Sequence, residues 1–229
     1  MLSKRAKIVT FSGIDGAGKS TQIQALANWL RAAGLNVTLL SFWDDVVMFS
    51  RFREGMSGKV FGGDKGIGAP DKPVNRRDKN VRSCPVTSAR FFLYFFDALS
   101  VWRKVQQKKN DAADVVIFDR YIYDEFANLP LQRRITRTLI SFLLRIVPAP
   151  DVAYVIDADP AVARQRKPEY PLEFIGKNRE AYLTLSRLIK GITVIEPLAV
   201  APTELRVKEV FLQSTSAPRD SFACLPATQ

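Results

Sequence analysis

Apolar residues recur along this chain in two alternating rhythms. Lys7 to Ser12, Asn36 to Phe42, Val115 to Phe118, Val152 to Ile156 and Ile192 to Ile195 are short runs dense in Val, Ile, Leu and Phe, and they read as strands. Between them lie longer stretches whose apolar positions return every three or four residues. Lys19 to Ala33, Val86 to Lys109, Leu131 to Val147, Pro171 to Lys190 and Pro202 to Gln213 therefore read as helices, with a further short one over Asp44 to Arg53. Gly34 is a natural stop for the first helix. In the Val86 to Lys109 segment the pattern assigns the apolar side to Phe92, Phe95, Phe96, Leu99 and Trp102. In the Leu131 to Val147 segment it assigns that side to Ile135, Leu139, Phe142, Leu143 and Ile146, with Arg133, Arg134, Arg137 and Arg145 elsewhere. Short apolar strands separated by helices predict an α/β fold, a parallel sheet covered on both faces. Ligands of such sheets gather at the carboxyl ends of the strands.

Two segments break the alternation. Residues 54–85 are rich in Gly, Pro, Asp, Lys and Arg without periodicity, and read as a flexible basic insertion carrying Arg76, Arg77, Lys79 and Arg82. Residues 214–229 read as a disordered tail, which leaves 1–213 as a single domain. Composition narrows the chemistry. Histidine is absent, so histidine bases and ligands are excluded. The two cysteines, Cys84 and Cys224, form no disulfide framework or zinc spacing, which suits a cytoplasmic setting. The basic start, Met1 to Arg5, leads into too short an apolar run for a secretory signal, and the greasiest runs are too short to span a membrane. A net charge of +11, much of it between Arg51 and Lys109, points to acidic partners without choosing among them.

The chemistry is written between the first strand and the first helix. Gly13-Ile14-Asp15-Gly16-Ala17-Gly18-Lys19-Ser20 fits G-x-x-x-x-G-K-[ST] without mismatch, in the strand–loop–helix setting that this motif requires. Glycines let consecutive N–H groups wrap a phosphate chain at a helix N-terminus. Gly13, Asp15, Gly16, Ala17, Gly18, Lys19, Ser20 and Thr21 are the expected nucleotide cradle, with Lys19 on the β- and γ-phosphates and Ser20 on magnesium. Asp119, at the tip of the Val115 to Phe118 strand, is the second expected magnesium ligand, and Arg120 and Tyr121 follow it directly. The run Arg164-Gln165-Arg166-Lys167 is a candidate lid over the phosphates, set within residues 160–171.

Gly13 to Gln22 and Asp119-Arg120-Tyr121 resemble the two signature motifs of thymidylate kinases. Pro150 to Pro160 is similar to that family's strand before the lid, and Glu173-Phe174 with Arg179 and Tyr182 to its helix after it. The resemblance runs from about Lys7 to Ile195. It implies a three-layer P-loop fold with a five-stranded parallel sheet, helices on both faces and a short lid. It implies transfer of the γ-phosphoryl of ATP, with Mg2+, to a nucleoside monophosphate, thymidine monophosphate (dTMP) by default. Asp15 would then lie near the acceptor's phosphate and sugar, Arg120 would bind its phosphate, and Tyr94 would stack on its base, with Arg90 and Tyr121 completing the site. Either Arg164 or Arg166 would be the catalytic lid cation, because Gly16 stands where some members carry an arginine. A homodimer is implied, with nucleotides as partners; the short apolar runs argue against a membrane partner, and the lack of aromatic and basic interleaving in the insertion argues against nucleic acid.

The chain departs from that pattern at two acceptor positions. Phe42-Trp43-Asp44-Asp45 stands where the family has a phosphate-gripping arginine, and acidic residues there would repel a phosphate. Ala98 stands where an arginine reads the thymine edge. These departures keep two alternatives open: a P-loop kinase of another acceptor, such as a sugar or glycan precursor, and a nucleotide-dependent binding or ATPase module.

Overall fold

The structure, a computed structural model, describes residues 6–46, 84–110 and 113–216. The expected insertion, through Ser83, and the tail from residue 217 onward lie outside the described residues. Five parallel strands form one sheet: β1 (Lys7–Ser12), β2 (Val37–Ser41), β3 (Val115–Asp119), β4 (Val152–Ile156) and β5 (Ile192–Ile195), in the order β2-β3-β1-β4-β5. The helices are α1 (Lys19–Ala32), α2 (Cys84–Asn110), α3 (Ile122–Phe126), α4 (Arg134–Ile146), α5 (Pro160–Arg166), α6 (Leu172–Leu188) and α7 (Val200–Ser216). Every residue of β4 is buried. Successive strand residues point to opposite faces, so helices must cover both. Pairing aligns Phe11 of β1 with Asp119 of β3, and Ser41 of β2 with the same Asp119. The ends of the three strands thus meet at one edge, where the chain of β1 enters the glycine loop.

The structure revises several expectations. In α2 the core side is Tyr94, Ala98, Val101 and Val105, spaced four, three and four apart. Phe92 and Trp102, expected to face inward, are 62% and 48% exposed. Ala98 and Val101 let α2 lie close on its neighbours beside the buried Tyr94, and Phe92 and Trp102 are left outside; Phe95, partly buried against the core, stacks on the ring of Phe142. In α4 the buried residues are Thr136, Ile140 and Leu143, while Ile135 and Phe142 are exposed. Beyond Ser41 a π-helical turn spans Phe42–Val46, and the rest of the short helix expected through Arg53 lies outside the described residues. Helix α7 reaches Ser216, so residues 214–216 of the expected tail are helical. Two short helices, α3 and α5, are additions to the expected order.

Candidate active site

The glycine loop closes tightly on its surroundings. Gly13 has φ +134°, and a Cβ there would fall 2.4 Å from the carbonyl oxygen of Ile156 at the end of β4. Gly16 has φ +84°, and its Cβ would fall 2.2 Å from the carbonyl oxygen of Ala163 in α5. Only glycine satisfies both the left-handed backbone and the missing space. Helix α1 opens on Gly18 with no side chain capping it, so its first N–H groups face the loop. Lys19 is buried, and its Nζ donates to the carbonyl oxygens of Gly13 (2.9 Å) and Ile14 (2.8 Å). Burial, seconded by the charge of Arg120, lowers the Lys19 pKa to about 8, against the opposing pull of Asp15, Asp124 and Asp119. Ser20 and Thr21 are exposed on the first turn of α1.

A second cluster sits across from the lysine. Arg120 follows β3 in the left-handed region, φ 69°, with its N–H on the carbonyl oxygen of Phe11 at 2.9 Å. A non-glycine residue there costs about 1–3 kcal/mol and persists only where its surroundings hold it. Arg120 Nη1 donates to Asp124 Oδ1 at 2.8 Å, and Nη2 donates to Asp15 Oδ1. Asp124, 3% exposed, also accepts from the Tyr182 hydroxyl at 2.7 Å, the Ser12 hydroxyl at 2.6 Å and the Tyr121 N–H at 3.3 Å. Although burial works against its charge, Asp124, then Tyr182 and Asp15, hold the Arg120 guanidinium firmly protonated.

These groups open on one cleft, lined by Gly13, Ile14, Asp15, Trp43, Arg120, Asp124, Ala127, Asn128, Asn178 and Tyr182. Of the expected site residues, Asp15 and Arg120 meet here, and Lys19 binds the carbonyls of two of the lining residues. Tyr94, expected to stack on a base, is buried at 3% and does not line the cleft, because its place in α2 belongs to the core side; the lining aromatics are Trp43 and Tyr182. Tyr121 is also withdrawn: fully buried, its hydroxyl donates to the carbonyl oxygen of Pro148 at 2.6 Å. Arg90 falls in α2, but its side chain lies outside the described residues. The carboxylates of Asp44 and Asp45 are taken up locally, accepting from the Ser41 hydroxyl and N–H, each at 2.7 Å.

The lid region is helix α5 followed by a turn into α6. Asp159 caps α5, accepting from the N–H groups of Ala161 (2.9 Å) and Val162 (3.1 Å), and Pro160 starts it. Arg166, in its last turn, reaches the Gly16 carbonyl at 3.5 Å, whereas Arg164 is half-buried on the same helix. Arg179 of α6 grips Asp157 with two hydrogen bonds of 2.7 Å, fixing α6 to the tip of β4. The residue that sequence reasoning passed over is Asp124. Its spacing four after Arg120, opening the short α3, was the available signal.

No family model matches the chain. It is similar along most of its length to a protein named probable thymidylate kinase from Methanosphaera stadtmanae, 26% identical over 86% of this chain and 90% of that protein. Among solved structures, the thymidylate kinase of Ehrlichia chaffeensis aligns with a TM-score of 0.57 at 19% identity, over 91% of this chain and all but 1% of its own. That of Candida albicans aligns with the same TM-score at 17% identity, over 96% and 98%. The sheet with its surrounding helices is thus the P-loop fold of these enzymes.

Proposed function

We propose that this chain, whose relatives are thymidylate kinases, transfers the γ-phosphoryl of ATP to dTMP, giving ADP and thymidine diphosphate. The observation that carries the reading is one cleft lined by Gly13, Ile14 and Asp15 at the start of the glycine loop and by Arg120, the residue after β3, with the loop's Lys19 bonded to the carbonyls of Gly13 and Ile14. Phosphoryl transfer needs charge and alignment more than a protein nucleophile. The attacking group would be the acceptor's own phosphate, already deprotonated near pH 7, so a chain without histidine lacks nothing.

The residues present fit the nucleotide and its metal. The Lys19 ammonium rests on loop carbonyls, which a phosphate can replace. Gly13 and Asp15 to Thr21 form the cradle, with uncapped N–H groups at the start of α1. Among the described residues no cluster of three or more His, Cys, Asp or Glu could hold a metal by itself, as suits an ion completed by phosphates and water. Magnesium would be held by Ser20 and Asp119, and would supply neutralisation of phosphate charge. Arg120 is the ligand for the acceptor's phosphate. Asp15, beside it, is placed for the sugar. Arg166, already against the loop, is the lid cation of choice over Arg164.

This reading takes residues 1–213 as one kinase domain with its lid at 160–171. It also takes the working form as a homodimer, supported by the aromatic face of α2 that the core leaves exposed. ADP release from ATP and Mg2+ tests the activity, with each ribo- and deoxynucleoside monophosphate and a no-acceptor control. Strong stimulation by dTMP is expected. Equal release without acceptor, or stimulation only by sugars and phosphorylated metabolites, would overturn the acceptor assignment.

A further inference from the structure

Asp124 is a buried carboxylate in the middle of a site whose chemistry calls for positive charge. Its two oxygens are fully engaged. Oδ1 accepts from Arg120 and Tyr182, and Oδ2 from Ser12 and the Tyr121 N–H. Donors thus converge from β1, from the turn after β3 and from α6. Asp15, which holds the other edge of the same guanidinium, lies on the glycine loop at the cleft surface. The side chains of Asp15 and Asp124 are 23% and 2% exposed. The two ends of Arg120 are therefore unequal. A hydrogen-bonded pair in a dry, saturated setting does not exchange with water, whereas a partly exposed one does.

We propose that Asp124 is a positioning residue: it fixes Arg120 by Nη1 and leaves Nη2 to pass from Asp15 to the phosphate of the acceptor. The proposal rests on the reading of Arg120 as the acceptor's ligand. A phosphate dianion offers a stronger acceptor than one carboxylate, so it displaces Asp15 without disturbing Asp124. Asp124 also secures the left-handed turn at Arg120, because it accepts the N–H of the next residue. Tyr182 remains a donor throughout, since burial and then the Asp124 charge raise its pKa well above the ordinary value. Through Tyr182 the same carboxylate ties the acceptor side to α6, the helix that follows the lid.

The test is a double-mutant cycle on the full chain with ATP, Mg2+ and dTMP. Asp124→Asn should raise the KM for dTMP about tenfold or more, with the KM for ATP held within about twofold. In an Arg120→Ala background the same change should cost nothing further. An undiminished second loss in that background, or equal rises in both KM values, would overturn the proposal and leave Asp124 a helix cap. Should Asp124→Asn fail to fold, Tyr182→Phe keeps the carboxylate. Its dTMP-specific loss should be about threefold and should vanish with Arg120→Ala; persistence there would overturn the proposal. Wild-type protein without dTMP-dependent ADP release would instead refute the functional reading. The hold on Arg120 is then judged by 15N NMR of its guanidinium. Distinct Nη signals in wild type that merge in Tyr182→Phe or Asp124→Asn support it, and signals unchanged by either variant refute it.

Discussion

Lys19 is buried at the start of α1 at an electrostatic cost. A buried ammonium on two carbonyl oxygens has a pKa of about 8, so in the free protein it loses its charge in mildly alkaline solution. In the proposed function ATP binds the charged form. As pH rises through about 8, kcat/KM for ATP should fall, and below that value this limb should be flat. Lys19→Arg should move the limb upward by two units or more, since a guanidinium does not titrate there. A profile flat to pH 10 in the wild type would contradict the assignment. Arg166 makes a different prediction. Its guanidinium reaches the loop at the Gly16 carbonyl, so Arg166→Ala should lower kcat by about tenfold or more while changing ATP binding little. An effect confined to the KM for ATP would reduce it to a binding residue.

At the scale of elements, the contact that organises the site is α5 against the glycine loop. Gly16→Ala places a methyl group on the backbone of Ala163, and backbone does not yield as a flexible side chain does. The substitution should lower stability by about 1–3 kcal/mol in a denaturant titration and raise the KM for ATP. Unchanged values of both would mean that α5 does not sit on the loop in solution. This contact was not legible in the sequence, because α5 is seven residues long and carries no periodic signal of its own. The glycine motif and the strands were legible, because consecutive buried apolar residues and a fixed phosphate-binding spacing are local patterns. The apolar side of α2 was misread for the opposite reason. Phe92 and Trp102 outweigh Ala98 and Val101 in hydrophobicity, but the close approach of α2 to the core selects small residues. Tyr94 and Tyr121 depart in the opposite direction: both were expected at the ligand and both are buried.

For the molecule as a whole, the face of α2 bearing Phe92, Leu99 and Trp102, with Phe142 of α4, is a stretch of exposed apolar surface that a monomer rarely keeps. The full chain should sediment as a dimer, and Phe92→Glu with Trp102→Glu should make it a monomer with its folding intact; a monomeric wild type would contradict the homodimer. No helix among the described residues is long and apolar enough to cross a membrane. The charge of +11 is consistent with nucleotide substrates, and its local use is visible where Arg120 lines the cleft and Lys19 and Arg166 each bond a carbonyl of the glycine loop. The most direct test of the central claim is transfer of label from γ-32P-ATP to dTMP. Wild type should give labelled thymidine diphosphate, a folded Lys19→Ala essentially none, and Arg120→Ala a reduced but measurable amount that rises with dTMP concentration. Label released only as inorganic phosphate, or transfer that survives the loss of Lys19, would contradict it.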